Sequence, residues 1–484
     1  MHTKTISPPI FAGIRIVNRP DLENVHRLDR GAMPMITEFE RSGMKVDPDR
    51  IAILNKRCIE EMESLAAKVE QLSGYSINIG SGDQLADLLF KKLKLKQNGR
   101  EKWTKSRKRL STDSDVLKAM VSQHPCIRPA LDWKERDKIR GTYTYSLLAQ
   151  ADDNLRIHTD VSSTRTDTGR LASSNPNLQN IPTRTEIGKY VRDSFVPERG
   201  MCLGTVDSSQ IEMRMNAFDS QDVNMMDIFA RGEDFYWGTA QLMYRREFTP
   251  EMRSCKCQKD DKGKVKHVAN CPAVIKAPGE VYDGMTFKKW YRDICAKVTA
   301  LMVGYDASAG GLYDQFLAWG VPGWTEELCA QAIKDYFTAY NGVFRRKKVH
   351  HQRAFKHGYV WELGGRIRRI PQMKSVHQRV VAEGMRQAGN LAGQGGAAFI
   401  IKLWMIIIWQ TIAPYYMKHG LKFLMQIHDE LLVEGPKQVV TDALHDFLFI
   451  KRNMLADFQQ WFNVKLDGSI AIGDVDASWA TLDK

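Results

Sequence analysis

Apolar positions recur at helical spacing over long stretches of this chain and alternate over a few short ones. Ile36 to Val46 reads as a helix closed by Gly43, and Ile51 to Leu72 as a second helix ending before Gly74. Gln84 to Leu95 reads as a third helix, while residues 1–20, with Pro8, Pro9 and Pro20, read as an irregular arm. Cys202 to Val206 is an apolar run short enough to be a buried strand, and helical spacing resumes at Ile211. Residues 277–420 are mostly helical in pattern. Leu421 to Ile427 and Leu431 to Glu434 read as two strands joined by a tight turn that carries His428, Asp429 and Glu430. Val464 to Ile472 alternates like a sheet strand. With no internal repeat or low-complexity tract, the expected class is α+β: an antiparallel sheet with large helical excursions.

A chain of 484 residues is too long for one ordinary domain, so two or three lobes are expected. The net charge of +13 and pI near 9.2 favour a polyanionic partner, chiefly nucleic acid, or an acidic membrane surface. The longest apolar run, Phe399 to Trp409, contains Lys402 and is about half of the ~20 residues a bilayer span needs, so no membrane partner is expected. Met1 to Pro20 has no compact apolar stretch of the secretory kind, and eight irregularly spread cysteines suit a reducing compartment. Both point to the cytoplasm, bacterial or of an infected host cell. Lys91 to Arg109 holds ten Lys/Arg against one acid, Glu101. Such a run is either a solvated loop or a mobile phosphate-contacting one.

Chemistry enters with two acidic signatures. Val206-Asp207-Ser208-Ser209-Gln210-Ile211-Glu212-Met213-Arg214 sits near the middle, and Gln426-Ile427-His428-Asp429-Glu430 near the C-terminus. Each puts an aspartate at the end of a strand-like run. An aspartate there can simply cap a helix or form a turn. Two carboxylates on neighbouring strands can instead hold two divalent metals, the usual apparatus of nucleotidyl transfer.

With Thr168-Gly169-Arg170-Leu171-Ala172-Ser173-Ser174, Asn177-Leu178-Gln179-Asn180-Ile181-Pro182, Gly232-Glu233-Asp234 and Gly365-Arg366 to Pro371 in the same order, the chain resembles the polymerase portion of family A DNA polymerases from about residue 33 onward. The resemblance implies a right-hand fold of palm, fingers and thumb. It implies that Asp207, the backbone carbonyl of Ser208 and Asp429 ligate two Mg²⁺ ions, with Glu430 as a supporting carboxylate. It makes Glu212, with Gln210 beside it, the steric gate against a sugar 2′-hydroxyl. Lys297 becomes the triphosphate clamp and general acid for pyrophosphate, and Tyr305 the ring beside the templating base. Arg170, Asn177, Gln179, Asn180, Arg386, Asn390, Gln394 and His428 become primer-template contacts. Arg386, Asn390 and Gln394 share one helix face, and Gly389, Gly393, Gly395 and Gly396 around them would let the backbone approach a large partner closely.

The departures lie mainly in the nucleotide site. The family's arginine four residues before the lysine is replaced by Asp293, and Arg292 lies five before, about 140° away on an ideal helix at roughly 100° per residue. Either a local helix irregularity restores it or another cation substitutes. Leu301 replaces the usual Phe or Tyr, Asp306 the usual glycine, Tyr236 a common histidine and Ser208 the usual tyrosine.

Cys255, Cys257, His267 and Cys271 fall outside the resemblance. They form either a structural Cys₃His zinc site or a loop of unligated thiols. The expected domains are an arm at 1–20; a palm at 21–47, 150–235 and 385–484; a thumb at 48–149; and fingers at 236–384 with the Cys/His-rich insertion near 250–280. The expected activity is DNA-templated extension of a primer 3′ end with deoxynucleoside triphosphates and no 3′–5′ exonuclease, since little chain precedes the thumb. A separate exonuclease, helicase-primase or processivity protein would be the partner, and a phage the source. The alternatives are a single-subunit RNA polymerase and an inactive primer-template binder.

Overall fold

The computed structural model describes residues 13–97, 101–104, 106, 108–181, 186–244, 287–319, 321, 323–455 and 462–482. At its centre is a four-stranded antiparallel sheet of β1 (Cys202–Ser208), β2 (Lys422–Ile427), β3 (Glu430–Gly435) and β4 (Gly468–Ile472), in the order β4-β1-β3-β2. The period-2 alternation of apolar residues decides what packs on each face. Cys202 and Val206 of β1, Leu431 and Val433 of β3 and Phe423 of β2 enter one core. Leu203, Leu432, Leu424, Met425 and Ile427 enter the other, and a register shift between Phe423 and Met425 puts Leu424 and Met425 together in it. A fully buried side chain of this size contributes about 1.5–3 kcal/mol, so β1, β2 and β3 are each fixed in register by several such residues, while β4 is only partly buried.

The first face is covered by α1 (Leu22–Ser42), α8 (Gln378–Thr411) and α9 (Lys437–Asn453). Gly204 of β1 lies so close to α9 that a Cβ there would be 2.5 Å from Val440 Cγ1. The second face packs against α2 (Pro48–Ser73) and α3 (Ile127–Tyr143), which run outward to a separate core around Val69, Leu88, Leu117 and Ile127. A further core around Trp290, Ile294, Val298, Leu312 and Phe316 joins α5 (Phe235–Met243) to α6 (Lys297–Gly304) and its neighbours. Between these lie α4 (Ile211–Ser220), which follows β1, and α7 (Asn341–His357).

Several expected elements change at their ends. The first helix starts at Leu22, not Ile36, because Asp21 caps it by accepting from the Asn24 N–H and the chain runs helically through Pro34. The expected helix at Gln84–Leu95 is a short α-helix, Gly82–Ala86, continuing as a π-helix over Asp87–Lys92. The last strand begins at Gly468 rather than Val464. The apolar run expected to stop at Trp409 belongs to α8, which by length and composition could cross a membrane. The glycines and alanines of its N-terminal half extend the apolar stretch, and 94% of that stretch is buried within the fold.

Candidate active site

Asp207, the penultimate residue of β1, lies opposite Glu430 on one side and Ser469 on the other. Gly468 makes the second pairing possible, since a Cβ there would be 2.2 Å from the Asp207 carbonyl oxygen. Asp429 occupies the β2–β3 turn, next to His428 at φ +52°, and its carbonyl accepts from the Ser208 N–H at 3.0 Å. The turn is braced from below: Gln426 Nε2 donates to the His428 carbonyl, and buried Gln179 donates to the Gln426 carbonyl at 2.9 Å. Asp429 Oδ1 is buried and accepts no hydrogen bond. Burial drives the Asp429 carboxyl up to about 7; Arg170 opposes this, Glu212 and Asp207 reinforce it, and Lys451 opposes it.

Glu212, in the first turn of α4, is held by two donors. Arg170 Nη2 donates to Oε1, and the Tyr305 hydroxyl donates to Oε2 at 3.1 Å. Gln394 Nε2 donates to the same tyrosine oxygen at 3.0 Å. Burial and then the Glu212 charge raise the Tyr305 phenol to about 12. Four expected site residues, from four distant segments, thus form one hydrogen-bonded chain.

The five-residue gap between Arg292 and Lys297 has a structural answer. Trp290–Ala296 is π-helical, and the Lys297 N–H donates to the Arg292 carbonyl, an i→i+5 bond. The wider turn stacks Lys297 above Arg292. Both cations stand over the buried Tyr236 ring, Arg292 at 5.8 Å and Lys297 at 5.6 Å from its centroid. Arg292 is gripped by Asp234, Nε to Oδ1 at 2.9 Å and Nη2 to Oδ2 at 2.6 Å, and also donates to Asp293. Asp234 caps α5 through the Trp237 N–H and accepts from Gln210 Nε2 at 2.5 Å. Burial pulls the Asp234 carboxyl upward, but Arg292 and the Trp237 N–H outweigh it and hold it below the usual value. Leu301 is partly buried against the central core. Asp234 stood in a quoted motif without a role; its cap position before an apolar run was the available signal.

Of the remaining residues, Arg386 donates to Glu383, Asn177 accepts from Ser173 Oγ at 2.9 Å, Asn390 is half-buried and Asn180 and His428 are exposed. The glycines around Arg386, Asn390 and Gln394 were expected to admit a large partner. They instead admit neighbouring parts of the chain: Gly389 faces Asp306, Gly393 faces Asn216, Gly395 faces Glu362 and Gly396 faces Met215, each within 3.1 Å of a built Cβ. Close packing of α8 accounts for them.

Cys255, Cys257, His267 and Cys271 lie outside the described residues. The five described cysteines, 58, 126, 202, 295 and 329, are free and buried. Among the described residues, no group of three or more His, Cys, Asp or Glu stands together as a metal cage. Two carboxylates still fit Mg²⁺, which keeps several waters and takes further ligands from substrate phosphates. The unpartnered Asp429 Oδ1 is the observation that fits a hard cation there.

The family model for DNA polymerase family A matches residues 48–258 and 291–480. The thermostable DNA polymerase I of Thermus caldophilus is 31% identical over 413 residues, covering 85% of this chain and 44% of the relative. DNA polymerase I of Caldicellulosiruptor bescii is 30% identical over 452 residues, covering 90% and 47%. The chain therefore spans about half the length of the curated relatives it matches. Among solved structures, the POL domain of Pol1 from M. smegmatis, in complex with DNA primer-template and dNTP, aligns with a TM-score of 0.73 at 27% identity, covering 95% of this chain and 73% of that one. The mixed helix-and-sheet architecture is the right-hand polymerase fold, and this chain belongs to DNA polymerase family A.

Proposed function

We propose that the chain extends a primer 3′ end by template-directed addition of deoxynucleoside triphosphates, releasing pyrophosphate. The observation that carries this reading is the pair Asp207, on β1, and Asp429, in the β2–β3 turn beside it, joined through the Ser208 N–H and with Asp429 Oδ1 buried and unpartnered. These two carboxylates and the Ser208 carbonyl would hold two Mg²⁺ ions. Bound there, the ions lower the pKa of the primer hydroxyl and neutralise charge that builds on the phosphates. Lys297 and Arg292 would bind the triphosphate, Lys297 supplying a proton to the departing pyrophosphate. Glu212 would fill the space of a 2′-hydroxyl, its carboxylate fixed by Arg170 and Tyr305. Arg170, Asn390 and Gln394 would face the minor groove, where acceptors common to all base pairs report pair geometry without sequence. Residues 21–47, 150–235 and 385–484 would serve as palm, 48–149 as thumb and 236–384 as fingers. The relatives' names and the primer-template and dNTP in the neighbouring structure support this reading.

The test is primer extension on a defined DNA template with Mg²⁺, comparing deoxy- with ribonucleotides and using Asp429→Ala as control. Templated deoxynucleotide addition that the variant loses is expected. A wild-type chain that binds primer-template but adds nothing would refute the proposal, and preferred ribonucleotide addition would favour the RNA polymerase alternative. No shortening of the labelled primer 3′ end by this chain is expected.

A further inference from the structure

We propose that Asp306, Lys347 and His351 form a latch that positions Tyr305 and, through it, the Glu212 carboxylate that screens the incoming sugar; this rests on the polymerase reading above. Asp306 directly follows Tyr305 beyond the end of α6 and adopts φ +53°. Glycine would accept that backbone at no steric cost, so the aspartate is best explained by its carboxylate. Both carboxylate oxygens are engaged by α7: Lys347 Nζ donates to Oδ1 at 2.7 Å, and His351 Nε2 lies 2.9 Å from Oδ2. Lys347 Nζ also donates to the Gly304 carbonyl at 2.8 Å. The lysine thereby ties down the residues on both sides of Tyr305.

The contact is built into the interior. The Lys347 side chain is 8% exposed and that of Asp306 17%. On α8, Gly389 leaves the space the carboxylate occupies, since a Cβ there would be 2.2 Å from Asp306 Oδ2. A surface ion pair is worth little, but breaking a buried one leaves a charge without a partner. The end of α6 is therefore anchored to α7 at the residue after the tyrosine. The Tyr305 hydroxyl, donating to Glu212 and accepting from Gln394, carries that anchor to the gate.

Asp306 and Lys347 are thus specificity-determining positioning residues, in contact with neither primer nor nucleotide in this scheme. Single-nucleotide insertion by the full chain, with a deoxynucleotide and its ribonucleotide counterpart, tests this on Asp306→Asn and on Asp306→Asn with Lys347→Met. The double variant buries no unpaired lysine. Discrimination, the ratio of the two kcat/KM values, is expected to fall by about tenfold, with deoxynucleotide kcat/KM held within about threefold. Tyr305→Phe should lose similar discrimination, and adding Asp306→Asn to it should change the ratio no further. A parallel loss on both substrates, or an unchanged ratio, overturns the latch. Amide hydrogen exchange over residues 301–306, read on the same proteins without substrate, should quicken in both variants. Unchanged exchange overturns the latch whether or not the chain extends a primer. A wild-type chain that adds no deoxynucleotide overturns the polymerase reading instead, and the exchange result then decides the latch.

Discussion

Lys451 sits 2% exposed on α9, its ammonium 2.7 Å from Ser208 Oγ and 3.4 Å from the centroid of the Trp404 ring. A cation fixed behind two carboxylates opposes the binding of further cations. Lys451→Met should therefore lower the Mg²⁺ concentration for half-maximal extension by about threefold at pH 8.5, above the value of about 7 to which burial raises the Asp429 carboxyl. Mn²⁺ binding followed by calorimetry should tighten in step; weaker binding would show that the lysine serves only to place Ser208. Glu362 offers a second test. Burial pushes its carboxyl up to about 7, although the Gly364 and Arg366 N–H groups and the nearby Arg366 and Lys402 charges favour ionisation. Its folded pKa exceeds the ordinary 4.5, so the folded chain holds the extra proton. The contribution is complete below pH 4.5 and disappears as pH rises through 7. Wild-type thermal stability should fall by about 3 kcal/mol across that window, and Glu362→Gln, which does not titrate, should flatten the dependence.

At the scale of elements, the π-helical turn at Trp290–Ala296 turns a spacing of five into a stacked cation pair. Deleting Asp293 should let the segment close as an α-helix with Arg292 and Lys297 four residues apart, still on one face. Deoxynucleotide KM should then stay within about threefold of wild type, since the pair keeps its face. Deleting Ala300, inside the regular helix, should abolish extension; equal damage from both deletions would refute the account. The sequence disclosed this site unevenly. The central strands were visible because short apolar runs are buried on both faces of the sheet, and Asp207 and Asp429 lie just past the ends of the runs Cys202–Val206 and Leu421–Ile427. The Arg292–Lys297 gap signalled an irregularity without specifying its kind. The latch was hidden because Asp306, past the end of α6, is 41 and 45 residues from its partners on α7. The glycines of α8 misled because the freedom that admits a nucleic acid also admits a neighbouring helix.

For the whole molecule, the excess of basic over acidic side chains has a consequence for binding. Primer-template affinity should fall linearly on a log–log plot against salt, losing about tenfold or more between about 50 and about 200 mM, as condensed counterions are released on binding. A flat response in fluorescence anisotropy would mean that the basic surface does not meet phosphate. The order of strands has a different consequence, in the time domain of synthesis. β1 is made first yet sits between β3 and β4, which are made more than 220 residues later. A nascent chain that has reached Gly420 thus carries Asp207 on a strand with both edges open, with no second carboxylate beside it. The centre is assembled late in translation, and until then β1 is an open template for any other strand, so the half-made chain needs protection from aggregation more than the finished one.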